Sequence, residues 1–208
     1  MKNRPLALIL LAISLPVLQG CIPLVATGVT TGVLATMDRR SIGTQTEDET
    51  IEWKAAARVN PKLGDKAHIN FTSYNRKVLM TGEVPTPEAR TEAERLAAGV
   101  ENVQGVYNEL SVAPASSFSD RSNDAFITSK IKSRSVDSGK FNPVHVKVVT
   151  EAGVAYLLGM VTRVEAQAAI EVARTTAGVK KVVNLLEIIT PAKARELDIN
   201  QSNNAKSP

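Results

Sequence analysis

With 208 residues carrying 25 basic and 21 acidic side chains, the chain has a net charge of +4, 43% hydrophobic residues and 4% aromatic ones. That length fits one ordinary domain or two small ones. So slight a positive excess does not argue for nucleic acid, and four Phe, three Tyr and one Trp leave few platforms on which bases or sugars could stack.

The first element is the opening stretch MKNRPLALILLAISLPVLQGC, in which Lys2 and Arg4 precede an uncharged apolar run from Leu6 to Leu18 and Gly20 stands just before Cys21. This is the layout of an export signal over residues 1–20. The run of about 13 residues includes Pro16 and falls short of the roughly 20 that a membrane-spanning helix needs. Cys21 is the single cysteine, so no intrachain disulfide exists, and two histidines in the chain offer few metal co-ligands. It is a buried apolar residue, a reactive nucleophile or a site of modification, and its place behind the signal favours modification. Leu18-Gln19-Gly20-Cys21 resembles the lipobox of bacterial lipoproteins, with Gln19 where a small or β-branched residue is commoner. The resemblance implies a diacylglyceryl thioether on Cys21, cleavage before it and acylation of the new N-terminus. Ile22 in place of Asp implies transport to the outer membrane, with the protein facing the periplasm. No cofactor is expected beyond this covalent lipid.

Beyond a lipidated linker, residues 21–46, the sequence is written twice. A shift of 77 superposes His68 on His145, Phe71 on Val148, Gly82 on Gly159 and Val84 on Val161, and a shift of 76 superposes Val103 on Val179, Asn108 on Asn184 and Leu110 on Leu186. The copies span residues 47–113 and 122–190, joined by the polar stretch APASSFSDRSN. Each begins with a helix, DETIEWKAAARV or NDAFITSKIKSRSV. Alternation in AHINFTS and VHVKVVT predicts a half-buried strand, and the turn YNRK or EAGV leads into a second strand, VLMTGEV or AYLLGMV. A helix follows, opened in one copy by Thr86-Pro87 and in the other by the capping box Thr162-x-x-Glu165. Asn102 and Gly178 stand where a left-handed helix end is needed. A last strand, VQGVYNELSV or VKKVVNLLEII, returns parallel to the second. The fold class is therefore α+β: two tandem units, each helix-strand-strand-helix-strand, with a three-stranded mixed sheet covered by two helices. Each unit holds the parts of its own small core. Residues 191–208, which start with Pro191 and end polar, read as a disordered tail.

This order of elements, the Gly after the second strand and the Val-x-x-Val-x-Asn-x-Leu ending resemble the BON domain of bacterial envelope proteins. Together with the lipobox, two such units resemble the dual-BON outer-membrane lipoproteins associated with cell division and envelope stress. The resemblance implies recognition of anionic phospholipid through the first helix of the second unit. SNDAFITSKIKS keeps the family's Asn-Asp-x-aromatic-Ile-Thr-x-Lys pattern, with Phe126 where the family more often has Trp. The phospholipid-binding set is then Phe126, Ile127, Lys130, Ile131 and Arg134. Ile127 and Ile131 define the face that packs on the sheet, while Phe126, Lys130 and Arg134 form a ridge at four-residue spacing: a ring for the acyl boundary and two cations for phosphates. Without the resemblance, Phe126 is as well read as a core or inter-unit residue. The first copy has Thr50, Lys54 and Arg58 at these positions, and its Trp53 is expected to pack inside or between the units.

Signs of chemistry are thin. His68 and His145 are expected as partly solvated strand residues rather than catalytic groups or metal ligands, and Glu165 is occupied in helix capping, which weakens any pairing with Glu88. No nucleophile elbow, zinc-protease motif, phosphate loop or dinucleotide fingerprint occurs. The expectation is a protein that is not an enzyme, with no catalytic and no metal residues. The units differ in charge: residues 47–113 have eight basic and eleven acidic residues, a net of −3, and residues 122–190 have nine and six, a net of +3. The positive unit suits an anionic membrane. The negative one suits the alternative function, a protein-protein adaptor for outer-membrane assembly machinery or cell-wall hydrolase regulation.

Overall fold

The structure, a computed structural model, describes residues 38–64 and 67–204. The export signal, Cys21 and the linker as far as residue 37 lie outside the described residues. The first repeat runs α1 (Ile42–Leu63), β1 (His68–Tyr74), β2 (Lys77–Val84), α2 (Pro87–Ala98), β3 (Gly105–Asn108) and β4 (Ser111–Val112). The second runs α3 (Phe118–Ser138), a single 3-10 turn (Pro143–His145), β5 (Lys147–Glu151), β6 (Val154–Val161), α4 (Arg163–Arg174) and β7 (Lys181–Ile188), and α5 (Pro191–Asn204) follows. In both repeats the central strand pairs antiparallel with the strand before it and parallel with the one after α2 or α4, the mixed α+β sheet expected. In the first repeat the returning strand is broken at Glu109 and Leu110, and Leu110 turns into the core.

Each hairpin turn is left-handed at two successive residues, Asn75 and Arg76 (φ 51° and 63°) or Ala152 and Gly153 (φ 51° and 79°). Three of these carry side chains, which makes the turn costly by itself. A buried aspartate on the preceding helix offsets that cost. Asp48 accepts the Asn75 and Arg76 amides at 2.8 and 2.7 Å, and Asp124 accepts those of Ala152 and Gly153 at 2.8 and 2.9 Å. This pair, aligned at a shift of 76, ties the first helix of each repeat to its hairpin.

Ile51, Ala55 and Val59 of α1 bury against Val78, Met80 and Val84 of β2 and Ala93 and Ala97 of α2. Ile127 and Ile131 of α3 do the same against Ala155, Leu157 and Val161 of β6 and Ala166, Ala169 and Ala173 of α4. A third core joins the two. Tyr74 and Leu79 from one sheet meet Tyr156 and Leu158 from the other, flanked by Tyr107, Val149, Met160, Val183 and Leu185. The faces the helices leave open are thus packed sheet against sheet, and the small units expected to have cores of their own also share one. Lys147 to Glu52 (3.0 Å) and Lys77 to Glu187 (2.9 Å) rim this seam. Residues 118–204 expressed alone should therefore unfold at lower denaturant than the whole chain, because Tyr156, Leu158 and Leu185 lose their cover. An unchanged midpoint would show that the seam contributes nothing to the stability of that repeat.

Four expectations are corrected. The stretch read as a polar joint starts α3 five residues before Asn123, because Ser117 and Asp120 form a capping box. Residues 191–204 of the tail read as disordered form the helix α5: Pro191 occupies a first-turn position, where its missing amide costs nothing, and Thr190 Oγ accepts the Lys193 amide at 3.1 Å. Ala194 and Gln201 bury this helix against its surroundings. His145 is no strand residue; Asn142 caps a 3-10 turn that buries the ring to 6% exposure. Trp53 packs nowhere: it is 72% exposed on α1.

Residues 38–41, ahead of α1, reach both repeats. Arg39 is 3% exposed and donates five hydrogen bonds: two to Glu165, two to Asp198 of α5 and one to the Met160 carbonyl. Arg40 bonds Asp38 and Asp48 and lies over the Tyr74 ring at 4.0 Å. Gln201 of α5 donates to the Arg40 carbonyl at 2.8 Å.

Candidate membrane-contact site

The capping box at Ser117 and the left-handed Gly139 at the other end (φ 59°) set the limits of α3, and its buried side is fixed by Asp124, Ile127, Ile131 and Ser135. That placement turns Phe126 outward, where it is 62% exposed. Lys130, one turn on, sets its ammonium 4.8 Å from the centre of the Phe126 ring. Phe126 is thus neither a core nor a seam residue. Ile127 and Ile131 are 1% exposed each and touch the α4 side of the core, so they hold the helix in place and do not reach a lipid.

The two cations have a structural duty as well. Lys130 donates to the Ala177 carbonyl, and Arg134 donates to the Thr176 hydroxyl at 2.8 Å, the Thr175 hydroxyl at 3.0 Å and the Val172 carbonyl at 3.3 Å. Both therefore neutralise the C-terminal end of α4, where carbonyls lack partners and the helix dipole is negative. The first repeat repeats the device: Arg58 binds the Gly99 carbonyl and Lys54 pairs with Glu101 at 3.1 Å. Persistence of the cations in both copies is explained by helix capping, so the aromatic at 126 is what sets the second helix apart.

One residue escaped the sequence reading. Phe118, first in α3, is 80% exposed and continues the four-residue ridge backwards: Phe118, Ser122, Phe126, Lys130, Arg134. The spacing was legible, but the residue was assigned to the joint. Around the ridge Arg121, Ser129 and Lys132 are exposed too, so α3 presents two rings among basic and hydroxyl side chains. Among the described residues no helix is long and apolar enough to cross a membrane.

Of the remaining candidates, Glu88 is exposed in the first turn of α2, whereas Glu165 caps α4 and binds Arg39. Burial alone would raise the Glu165 carboxyl, but the bonds from Arg39 and Thr162 hold it down at about 2. His145 lies near Glu165 and Asp198, at 3.9 and 3.8 Å, and burial together with the Arg39 charge lowers its pKa.

The model of the BON domain matches residues 48–114 and 123–190, within a residue of the repeats drawn from the sequence. The chain is similar to the outer membrane lipoprotein DolP of Haemophilus influenzae, 38% identical over 174 residues, which cover 83% of this chain and 90% of that one. It is equally similar to a 21 kDa hemolysin of Actinobacillus pleuropneumoniae, 38% identical over 155 residues, 74% of this chain and 80% of the other. Osmotically-inducible protein Y of Escherichia coli is 32% identical over 139 residues, 63% of this chain and 69% of that one. The similarity to DolP over most of both chains points to an envelope-associated lipoprotein of the outer membrane. The chain belongs to the BON-domain family and carries two copies of that domain in tandem.

Proposed function

We propose that this is a lipoprotein anchored in the outer membrane through Cys21, facing the periplasm, that binds anionic phospholipid through α3 and supports envelope integrity, including at division sites. It performs no catalysis. The observation that carries the reading is the outward Phe126 with Lys130 over its ring, in the more positive repeat and on the helix where the first repeat has Thr50. Burying most of such a ring in the acyl boundary is worth about 1–2 kcal/mol, and each basic residue near an anionic surface adds up to about 1 kcal/mol. These sums are too small for tight binding by themselves, but sufficient for a protein whose lipid anchor already confines it to the surface.

In flotation with anionic liposomes, residues 22–208 carrying Phe126→Glu should bind at least tenfold less than the parent fragment while keeping its melting temperature. Thr50→Glu should leave binding unchanged. Raised salt should weaken the parent only in part, since the charged share is screened and the apolar share is not. Equal and negligible binding of the parent to anionic and zwitterionic liposomes would remove the phospholipid reading. It would leave the second one, an adaptor for outer-membrane assembly machinery or cell-wall hydrolase regulation, which is favoured by Trp53 standing exposed beside Lys54 and Arg58 in the acidic repeat.

A further inference from the structure

At the seam between the repeats, where β1 begins, three metal-ligating side chains converge. His68 opens β1 directly opposite Glu83 of β2, and its Nδ1 lies 3.2 Å from Glu83 Oε2. Glu151, the last residue of β5, comes from the other repeat; its Oε2 accepts Asn70 Nδ2 at 2.9 Å and Thr81 Oγ1 at 3.3 Å. One donor atom each of His68, Glu83 and Glu151 lies within 4.8 Å of the others.

Against the two carboxylates of this cluster stands a single ionisable base, His68. Glu83 is 6% and Glu151 7% exposed, and among the described residues no Lys or Arg forms an ion pair with either. Apart from the His68 ring, whose Nδ1 meets Glu83 Oε2, their donors are neutral: the Ser116 amide for Glu83, Asn70 and Thr81 for Glu151. Glu151 Oε1 receives no hydrogen bond among the described residues. Two carboxylates removed from water ordinarily require a cation.

The other repeat shows what filling such a position involves. There the His145 carbonyl crosses Gly159 as the His68 carbonyl crosses Gly82, Met160 stands at the position of Glu83, and two carboxylates, Glu165 and Asp198, close on the buried guanidinium of Arg39. On that side the chain supplies its own cation; on the His68 side no described side chain does.

We propose that His68, Glu83 and Glu151 form a divalent-metal site that joins the two repeats. An imidazole nitrogen with two carboxylate oxygens selects a borderline ion such as Zn2+ over the hard, all-oxygen ions Mg2+ and Ca2+. The distance from His68 Nδ1 to Glu83 Oε2 matches the edge of a tetrahedron drawn about 2.0–2.1 Å from its centre, as zinc requires. Three protein ligands leave a fourth position for water. With ligands from β1, β2 and β5, the ion adds a cross-link to the seam and replaces the missing positive charge.

The test uses the full chain in detergent, stripped with chelator and titrated calorimetrically with ZnCl2 and separately with MgCl2. One Zn2+ per chain should bind with micromolar affinity and raise the melting temperature by several degrees, with Mg2+ doing neither. With two histidines in the chain, ring resonances assign the ligand: those of His68 should move on adding Zn2+ and those of His145 should stay. His68→Ala and the isosteric Glu151→Gln should each weaken binding at least 30-fold, whereas Glu171→Gln, on the exposed side of α4, should not. Melts in chelator establish that Glu151→Gln is folded, and there it should be at least as stable as the parent because it removes a buried charge. Absence of saturable Zn2+ binding, or binding of unchanged strength in folded Glu151→Gln, would overturn the site.

Discussion

Arg39→Ala is expected to lower the unfolding free energy by about 3–5 kcal/mol, the range for removing one partner of a buried ion pair. The change strands Glu165, Asp198 and the Met160 carbonyl together, and it releases α5, whose polar hold on the rest runs through Asp198 and Gln201. Arg39→Lys should recover only part of the loss, since an ammonium cannot reproduce the two-sided fork. The pH dependence fixes the cause. Glu165 has a folded pKa of about 2, below its unfolded value, so its contribution is present above about pH 4.3 and is lost as pH falls toward 2. His145, lowered by burial and by Arg39, binds its proton more weakly when folded, so stability also declines as pH drops below about 6.5. In denaturant titrations at stepped pH, Arg39→Ala should flatten the decline below about pH 5. A decline as steep as in the parent would show that Glu165 does not depend on Arg39.

Gly82→Ala and Gly159→Ala should each cost about 4 kcal/mol, or roughly 10 °C in melting temperature for a chain of this size. A Cβ at Gly82 would stand 2.0 Å from the His68 carbonyl oxygen, and one at Gly159 2.2 Å from that of His145. The obstructing atom is backbone in both, so relief requires pulling the strand or turn off the sheet. Gly82 is the worse case because its φ of 113° is itself unfavourable to a side chain. Gly43→Ala, with only the Ser41 hydroxyl at 3.9 Å, should be neutral or slightly stabilising, and a large loss there would point to a cause other than close approach.

The internal repeat made the two-copy organisation, both hairpins and the capped second helices legible in the sequence, because each rests on local spacing: alternation, a capping box, a left-handed turn residue. The seam was not read, although β2 and β6 carried its mark. Val78-Leu79-Met80 and Ala155-Tyr156-Leu157-Leu158 are apolar at every position, as a strand covered on both faces must be, and only one face was assigned. Helix α5 escaped because its sequence lacks an apolar stripe; ion pairing and a few small contacts hold it, and these depend on residues more than a hundred positions away. Among the site residues, Phe126 and the core-facing Ile127 and Ile131 could be told apart by helical projection. The capping duty of Lys130 and Arg134 could not, since the carbonyls they meet belong to the end of another helix.

Residues 38–41 also decide how the molecule bears tension. Arg39 grips Glu165 in the second repeat, while its neighbour Arg40 grips Asp48 in the first, the same carboxylate that fastens the first hairpin. A pull along the chain from ahead of residue 38 is therefore divided between two anchorages on opposite sides of the seam. Arg39 meets the load first and Arg40 takes what passes it, so both repeats are engaged before the pull reaches α1. Load arriving from a tether presses the two repeats into common service before either can be unravelled.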